Sequence, residues 1–171
     1  MNIIPYPSPN FNERPKDTII DTIVIHYTDM ESAQASLERL CDPKAEVSSH
    51  YLIDEDGTVY RLVDDKKRAW HAGVSHWNGK DNVNNFSIGI ELQNHGYNYF
   101  RLYNHWPPYP LKQMEALLVL LKDLSNRFPI KPRNIVGHSD VAPNRKPEPK
   151  RDPGPHFDWK WLAEKGFGKV I

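Results

Sequence analysis

Apolar residues along this chain recur in two rhythms. Short runs that are nearly all β-branched or aromatic, or apolar at every second residue, predict strands; spacings of three and four predict helices. "TIVIHY", residues 22–27, is an almost unbroken apolar run and predicts a buried strand ending at His26. "SSHYLIDEDGTVYRLV", 48–63, holds two β-rich runs around Asp56-Gly57 and predicts a hairpin. In "FSIGIELQ", 86–93, Ile88, Ile90 and Leu92 share one face of a strand while Gly89, Glu91 and Gln93 share the other. "NIVGH", 134–138, is a shorter strand that again ends on a histidine. The helical rhythm appears at 31–40, with Leu37 and Leu40 three apart. It is clearest over 111–128, where Leu111, Met114, Leu117, Leu118, Leu121, Leu124 and Phe128 form a stripe. A closing helix is expected over 157–166, stopped by Gly166.

Strands alternating with helices, with one hairpin interrupting, imply an α/β fold: a central mixed β-sheet flanked by helices. The length of 171 residues suits a single domain over 1–171. Residues 1–20 carry four prolines and read as an extended N-terminal arm packed on that domain rather than as regular structure. The connections 74–85, 95–110 and 139–156 are rich in Trp, Tyr, His and Pro and read as ordered loops, where binding groups tend to sit.

Charge removes one class of partner. Lys plus Arg number 22 and Asp plus Glu number 22, so the basic excess typical of nucleic-acid binders is missing; the one basic patch lies at 145–151. A single cysteine, Cys41, forbids an internal disulfide. There is no apolar run of the ~20 residues a membrane span needs. The proline-broken start has no secretory apolar core, so a cytoplasmic location is expected of the sequence as it stands, with periplasm or cell wall left open.

Candidate chemistry comes from the strand ends. Of the eight histidines, His26 and His138 each terminate an apolar strand, and two neighbouring strands would bring both imidazoles to one sheet edge. Asp152, at the end of a proline-rich loop, can fold back to the same point. Two imidazoles and a carboxylate with a fourth position open make a catalytic zinc site, and that donor set suits zinc better than calcium or magnesium. The plainer readings are a capped strand-end histidine and a turn aspartate before Pro153-Gly154. Asp140 is a rival ligand, ranked lower because it sits only two residues from His138. Glu91 is a carboxylate in an otherwise apolar strand, either a solvent-facing charge or a general base. One cation of Arg145, Lys146, Lys150 and Arg151 could stabilise the oxyanion of amide hydrolysis.

The same residues carry a family resemblance. "IDTIVIHYT", "VSSHYLIDEDGTVYRLVDDKKRAWHAGVSHWNG", "NNFSIGIELQN" and "VGHSDVAPNRK…DPGPHFDW" occur in order over nearly the whole chain. Together they resemble the zinc-dependent N-acetylmuramoyl-L-alanine amidases of the AmpD/AmiD type, which share the peptidoglycan-recognition-protein fold. The resemblance implies cleavage of the amide between the lactyl group of N-acetylmuramic acid and L-alanine, in peptidoglycan or muropeptides. It implies Zn2+ on His26, His138 and Asp152, with Glu91 as catalytic acid/base. It also implies an oxyanion lysine two positions before the last ligand. Here the segment is expanded by "PEPK", so Lys146 matches the "RK" context and Lys150 matches the spacing to Asp152. Lys150 is preferred, because catalysis fixes its distance from the metal ligand. Trp70, His71 and Trp77 are candidates for lining the substrate groove, and His50 for supporting the sheet beneath the metal. The chain is expected to act as a monomer. A non-catalytic peptidoglycan-binding module is the rival class; such modules typically lose a zinc ligand, and none is lost here.

Overall fold

The computed structural model describes residues 2–168. In chain order the elements are β1 (Ile3–Pro5), β2 (Phe11–Glu13), β3 (Thr22–Tyr27), α1 (Ala33–Cys41), β4 (Tyr51–Ile53), β5 (Val59–Arg61), β6 (Lys67–Ala69), β7 (His76–Trp77), β8 (Lys80–Asp81), β9 (Ser87–Leu92), α2 (Gly96–Tyr103), α3 (Leu111–Arg127), β10 (Ile135–Gly137), α4 (His138–Val141) and α5 (Trp159–Glu164). Six strands form one sheet in the order β1-β5-β4-β9-β3-β10. β4 and β5 are antiparallel and the other neighbours run parallel, so the sheet is mixed as expected.

The pleat separates two environments. Ile23, Ile25, Ile88, Ile90, Leu92 and Ile135 face α3 and α5 and form the main core. α3 presents Leu117, Leu120, Leu121 and Leu124, all fully buried. Burying a leucine contributes about 1.5–3 kcal/mol, so this face holds the sheet together. The expected stripe needs one change: Leu111, at the first turn of α3, is 64% exposed, and Leu120 takes a core place instead. The helix sits rotated on the sheet, so that Leu111 points outward while Gln113 and Met114 of the same turn are buried. On the opposite face Leu52 meets Leu37 and Leu40 of α1, and Val24 and Val136 meet Val83 and Phe86. Ser32 caps α1 by accepting from the Ala35 N–H.

The arm is extended, yet two of its stretches are paired. β1 adds a parallel edge strand beside β5, and β2 pairs antiparallel with β6. Between them Ser8 Oγ donates to Leu40 O and the Asn10 side chain donates to Asp42 O and Val47 O. Alternation cannot reveal strands of three residues whose partners lie some 55 residues away in sequence. The loop expected over 95–110 contains the helix α2, and the one over 74–85 contains the β7–β8 ribbon. No helix among the described residues is long and apolar enough to cross a membrane.

Candidate metal centre and active site

The parallel strands end together. Glu91 is level with His26 across β9 and β3, and Gly137 is level with Ile25 across β10 and β3. His138, the next residue, therefore falls level with His26. All three lie at the carboxyl ends of parallel strands, where open α/β sheets place their ligands. His138 is the first residue of α4 rather than the last of a strand, and this turn aims its ring across β3.

Asp152 arrives from the proline-rich loop. Ser139 N–H donates to Asp152 O at 3.0 Å and Tyr109 Oη donates to Pro153 O at 2.7 Å. A Cβ on Gly137 would meet Pro153 Cδ at 2.6 Å, so a glycine at 137 lets the loop come this close. Beyond the ligand, His156 stacks between Trp106 and Tyr109, with ring centres 4.9 and 4.8 Å away. The loop is thus held from both sides.

His26 Nδ1, His138 Nδ1 and Asp152 Oδ2 form a nearly equilateral triangle with edges of 3.0, 2.9 and 3.1 Å. The three residues are only 2%, 3% and 6% exposed. Ligand atoms about 2.0–2.1 Å from a tetrahedral zinc lie about 3.3 Å apart, so the triangle has the size of such a face. His138 Nε2 lies 3.1 Å from Ala72 O and must donate to it, which leaves the Nδ1 electron pair turned into the triangle. A nitrogen pair, a second imidazole and a carboxylate oxygen packed this tightly are the donors of a cation site, and these three residues can hold a metal ion. Asp140, the rival, does not join them: its Oδ2 accepts from Gly137 N–H at 2.8 Å, at the start of α4.

The electrostatics agree with that donor set. Burial, reinforced by the neighbouring His138, pushes His26 down to about 4, against the opposing pull of Asp152. Burial works to raise Asp152, but the two histidines outweigh it and hold the carboxyl well below its usual range. His26 and Asp152 are therefore in their metal-binding protonation states at neutral pH. Glu91 goes the other way. Burial, then the Asp152 charge, raise it well above the usual glutamate value, while Lys150 pulls it back. Its Oε2 is buried without a hydrogen-bond partner.

A cleft of about 530 Å³ opens over this floor, lined by His26, His138, Asp152, Glu91, Lys150 and Trp70 among others. Lys150 is half-buried in the cleft wall; Lys146 is exposed and does not line it. The Lys150 N–H donates to Ala142 O, which ties its backbone to the end of α4. Trp70 stands at the rim with its indole N–H donating to Asn12 Oδ1. His71 reaches the cleft lining from its floor, largely buried beneath His26, with Nδ1 3.0 Å from His26 Nε2. Trp77 differs from its expected place: it packs against the Val24–Val136 cluster, outside the cleft lining. His50 lies under the sheet end as expected, its Nδ1 accepting from Gly89 N–H.

Several lining residues were not singled out in the sequence. Tyr27, Asp29 and Tyr97 all reach the cleft. Tyr27 follows His26 directly, which was an available signal. Tyr97 lies on α2, and Arg151 covers its ring at 4.4 Å. Arg14 was also missed. Its guanidinium donates to Asp65 O, Asn84 O, Asn85 O and Ser87 O, fastening the arm beneath the site.

Fold and site define a class: α/β proteins that gather two histidines and an aspartate able to hold a metal ion near the ends of parallel strands, beside a half-buried glutamate, as metal-dependent hydrolases do. Within it, the chain belongs to the N-acetylmuramoyl-L-alanine amidase family Amidase_2, whose sequence profile matches residues 15–155. It is 41% identical over 156 residues to the N-acetylmuramoyl-L-alanine amidase AmiD of Escherichia coli K12, covering 87% of this chain and 54% of that protein. It is 36% identical over 170 residues to the 1,6-anhydro-N-acetylmuramyl-L-alanine amidase AmpD of Enterobacter cloacae, covering 90% and 84%. Among solved structures, the complex of E. coli AmiD with the substrate anhydro-N-acetylmuramic acid-L-Ala-D-gamma-Glu-L-Lys superposes with a TM-score of 0.79 at 36% identity, covering 94% of this chain and 67% of that one. The chain thus spans about half the length of AmiD and most of AmpD. The family and the α/β class read from the sequence agree with these matches.

Proposed function

We propose that the protein is a Zn2+-dependent amidase that hydrolyses the bond between the lactyl group of N-acetylmuramic acid and the L-alanine of a stem peptide, in murein or in anhydro-muropeptides. The observation that carries this is the buried His26–His138–Asp152 triangle beside a half-buried Glu91 with an unpartnered oxygen. His26, His138 and Asp152 would hold the zinc, which when bound supplies Lewis-acid polarisation of a carbonyl and acidification of water.

The chain's own residues do the rest. Glu91 takes a proton from the attacking water as the C–O bond forms, and delivers it to the alanine nitrogen as the C–N bond breaks. Its raised proton affinity suits both halves of that exchange. Lys150 Nζ donates to the carbonyl oxygen as charge builds there. Trp70 offers an aromatic face at the rim for a sugar ring. Every residue in this scheme comes from one chain, so a monomer suffices.

The test is digestion of purified sacculi and soluble anhydro-muropeptides side by side, with mass spectrometry of the products. The expected products are a muramic acid with a free lactyl carboxylate and a peptide with a free alanine amine, lost on chelation and restored by zinc. Release that is unaffected by chelation, or cleavage at another bond, overturns the reading.

A further inference from the structure

Behind the metal triangle runs a chain of polar groups whose proton positions can be worked out. Ser87 Oγ lies 2.7 Å from Val83 O, an acceptor only, so the hydroxyl hydrogen is committed there. Ser87 Oγ also lies 3.1 Å from His71 Nε2, which must therefore be the donor in that pair. A neutral imidazole with its proton on Nε2 has an electron pair on Nδ1. His71 Nδ1 is 3.0 Å from His26 Nε2, so His26 donates to it. His26 in turn keeps its Nδ1 electron pair free, and Nδ1 is the atom in the triangle.

The geometry points to His71 and Ser87 as positioning residues of the metal site: they lock His26 in the tautomer and ring orientation that expose Nδ1 to the ion. This rests on the zinc reading above but concerns residues outside the metal's own ligand set. A metal-bound histidine whose other nitrogen is held by an acceptor is a better and better-aimed ligand. The usual acceptor is a carboxylate or carbonyl; here it is a second imidazole, which can accept only while its far nitrogen has somewhere to donate. Ser87 supplies that place, and Val83 O keeps the serine hydrogen from reversing it. The His26 and His71 rings lie nearly perpendicular, 5.1 Å between centres, a separation that fits an N–H···N bond between them.

The strand is shaped for this. A Cβ on Gly89 would lie 2.4 Å from His71 Cγ, so the His71 ring occupies the space a side chain would need. Gly89 falls between Ser87 and Glu91 on the same face of β9. That face therefore carries the relay's anchor, the room for its ring, and the acid/base in successive places.

The experiment has two arms. Zinc affinity is measured by competition with a chromophoric chelator, for wild type, Ser87→Ala, His71→Leu and His71→Gln, with thermal melts to establish folding. Ser87→Ala and His71→Leu are expected to bind about 10–100-fold more weakly. His71→Gln, whose amide can accept from His26 and donate to Ser87, should stay within about threefold of wild type and far above His71→Leu. The second arm is the imidazole 15N–1H spectrum of the zinc-loaded wild type, where His71 is expected to be protonated on Nε2 alone. Wild type that binds no zinc sinks the metal reading itself. Wild type that binds zinc while the folded variants bind it equally well, or a His71 protonated on Nδ1, overturns the relay and leaves the metal reading standing. If His71→Leu does not fold, Ser87→Ala and the spectrum decide.

Discussion

Glu91 and His26 are register partners on adjacent parallel strands, so their side chains leave the same face of the sheet about one strand spacing, ~4.8 Å, apart. One belongs to the cluster that can hold a metal ion, and the other is a carboxyl group raised by burial. The strand pairing alone sets this carboxyl group beside the candidate metal site. No loop has to move to bring them together.

Replacing Glu91 by Gln should therefore leave the fold and zinc content intact and lower kcat by about 10²–10⁴-fold. Glutamine fills the same space but cannot take up the proton. Metal analysis and steady-state rates on one preparation check this. Activity near wild type would remove Glu91 from the chemistry.

The two lysines separate by position. Lys150 lines the cleft and Lys146 does not. Lys150→Ala should lose roughly 10²–10³-fold in kcat with zinc retained, and Lys146→Ala should be close to normal. A second readout is independent of rate. Lys150 holds the Glu91 carboxyl down, so its removal should move the acid limb of the pH–rate profile to higher pH. A healthy Lys150→Ala beside a dead Lys146→Ala would reverse the assignment.

Acid should weaken the metal-free fold earlier than carboxylates alone would. Burial, helped by the Arg14 charge, pushes His50 down to about 3 from an ordinary 6.5. His26 is likewise held at about 4. In this window these two imidazoles bind more protons in the unfolded chain than in the folded one, so their contribution to stability rises with pH. The contribution is complete above pH 6.5 and is lost as pH falls toward these folded values. Urea midpoints should decline steadily from pH 6.5 to about 4, and His50→Gln should flatten the slope. A flat midpoint across that range would contradict the burial of neutral imidazoles.

Arg14 ties the arm to the floor of the site through four backbone carbonyls. Arg14→Ala leaves those oxygens short of a donor, each at about 1–3 kcal/mol where water cannot follow. A loss of about 3 kcal/mol or more in urea unfolding is expected, since partial solvation offsets some of the sum. Arg14→Lys should recover little, because an ammonium cannot reach four fixed acceptors from one point. A loss below about 0.5 kcal/mol would make the arm an ornament of the surface.

What the sequence determined by itself is what local periodicity encodes. The two-residue alternation of β9 already put Glu91 opposite Ile90 and Leu92, and the apolar runs already ended at His26 and His138. The two histidines of the triangle could be named because strand ends are local features and strands of one sheet end together, while Asp152 was named from its proline-rich loop and the family resemblance. Tertiary structure decided everything that depends on a partner distant in sequence. Leu120 rather than Leu111 enters the core because of how α3 sits on the sheet. The arm's three-residue strands exist only because β5 and β6 lie beside them. Asp140 became a helix cap because α4 begins at His138, one residue earlier than a strand reading allows. His71 reaches the floor of the cleft by filling the space a glycine leaves on a neighbouring strand. Lys150 took the cleft because Ser139 and Ala142 hold the loop backbone on either side of it. Each of these is a hydrogen bond or a close approach between segments that no periodic pattern relates, and its energy is realised only once the sheet has assembled.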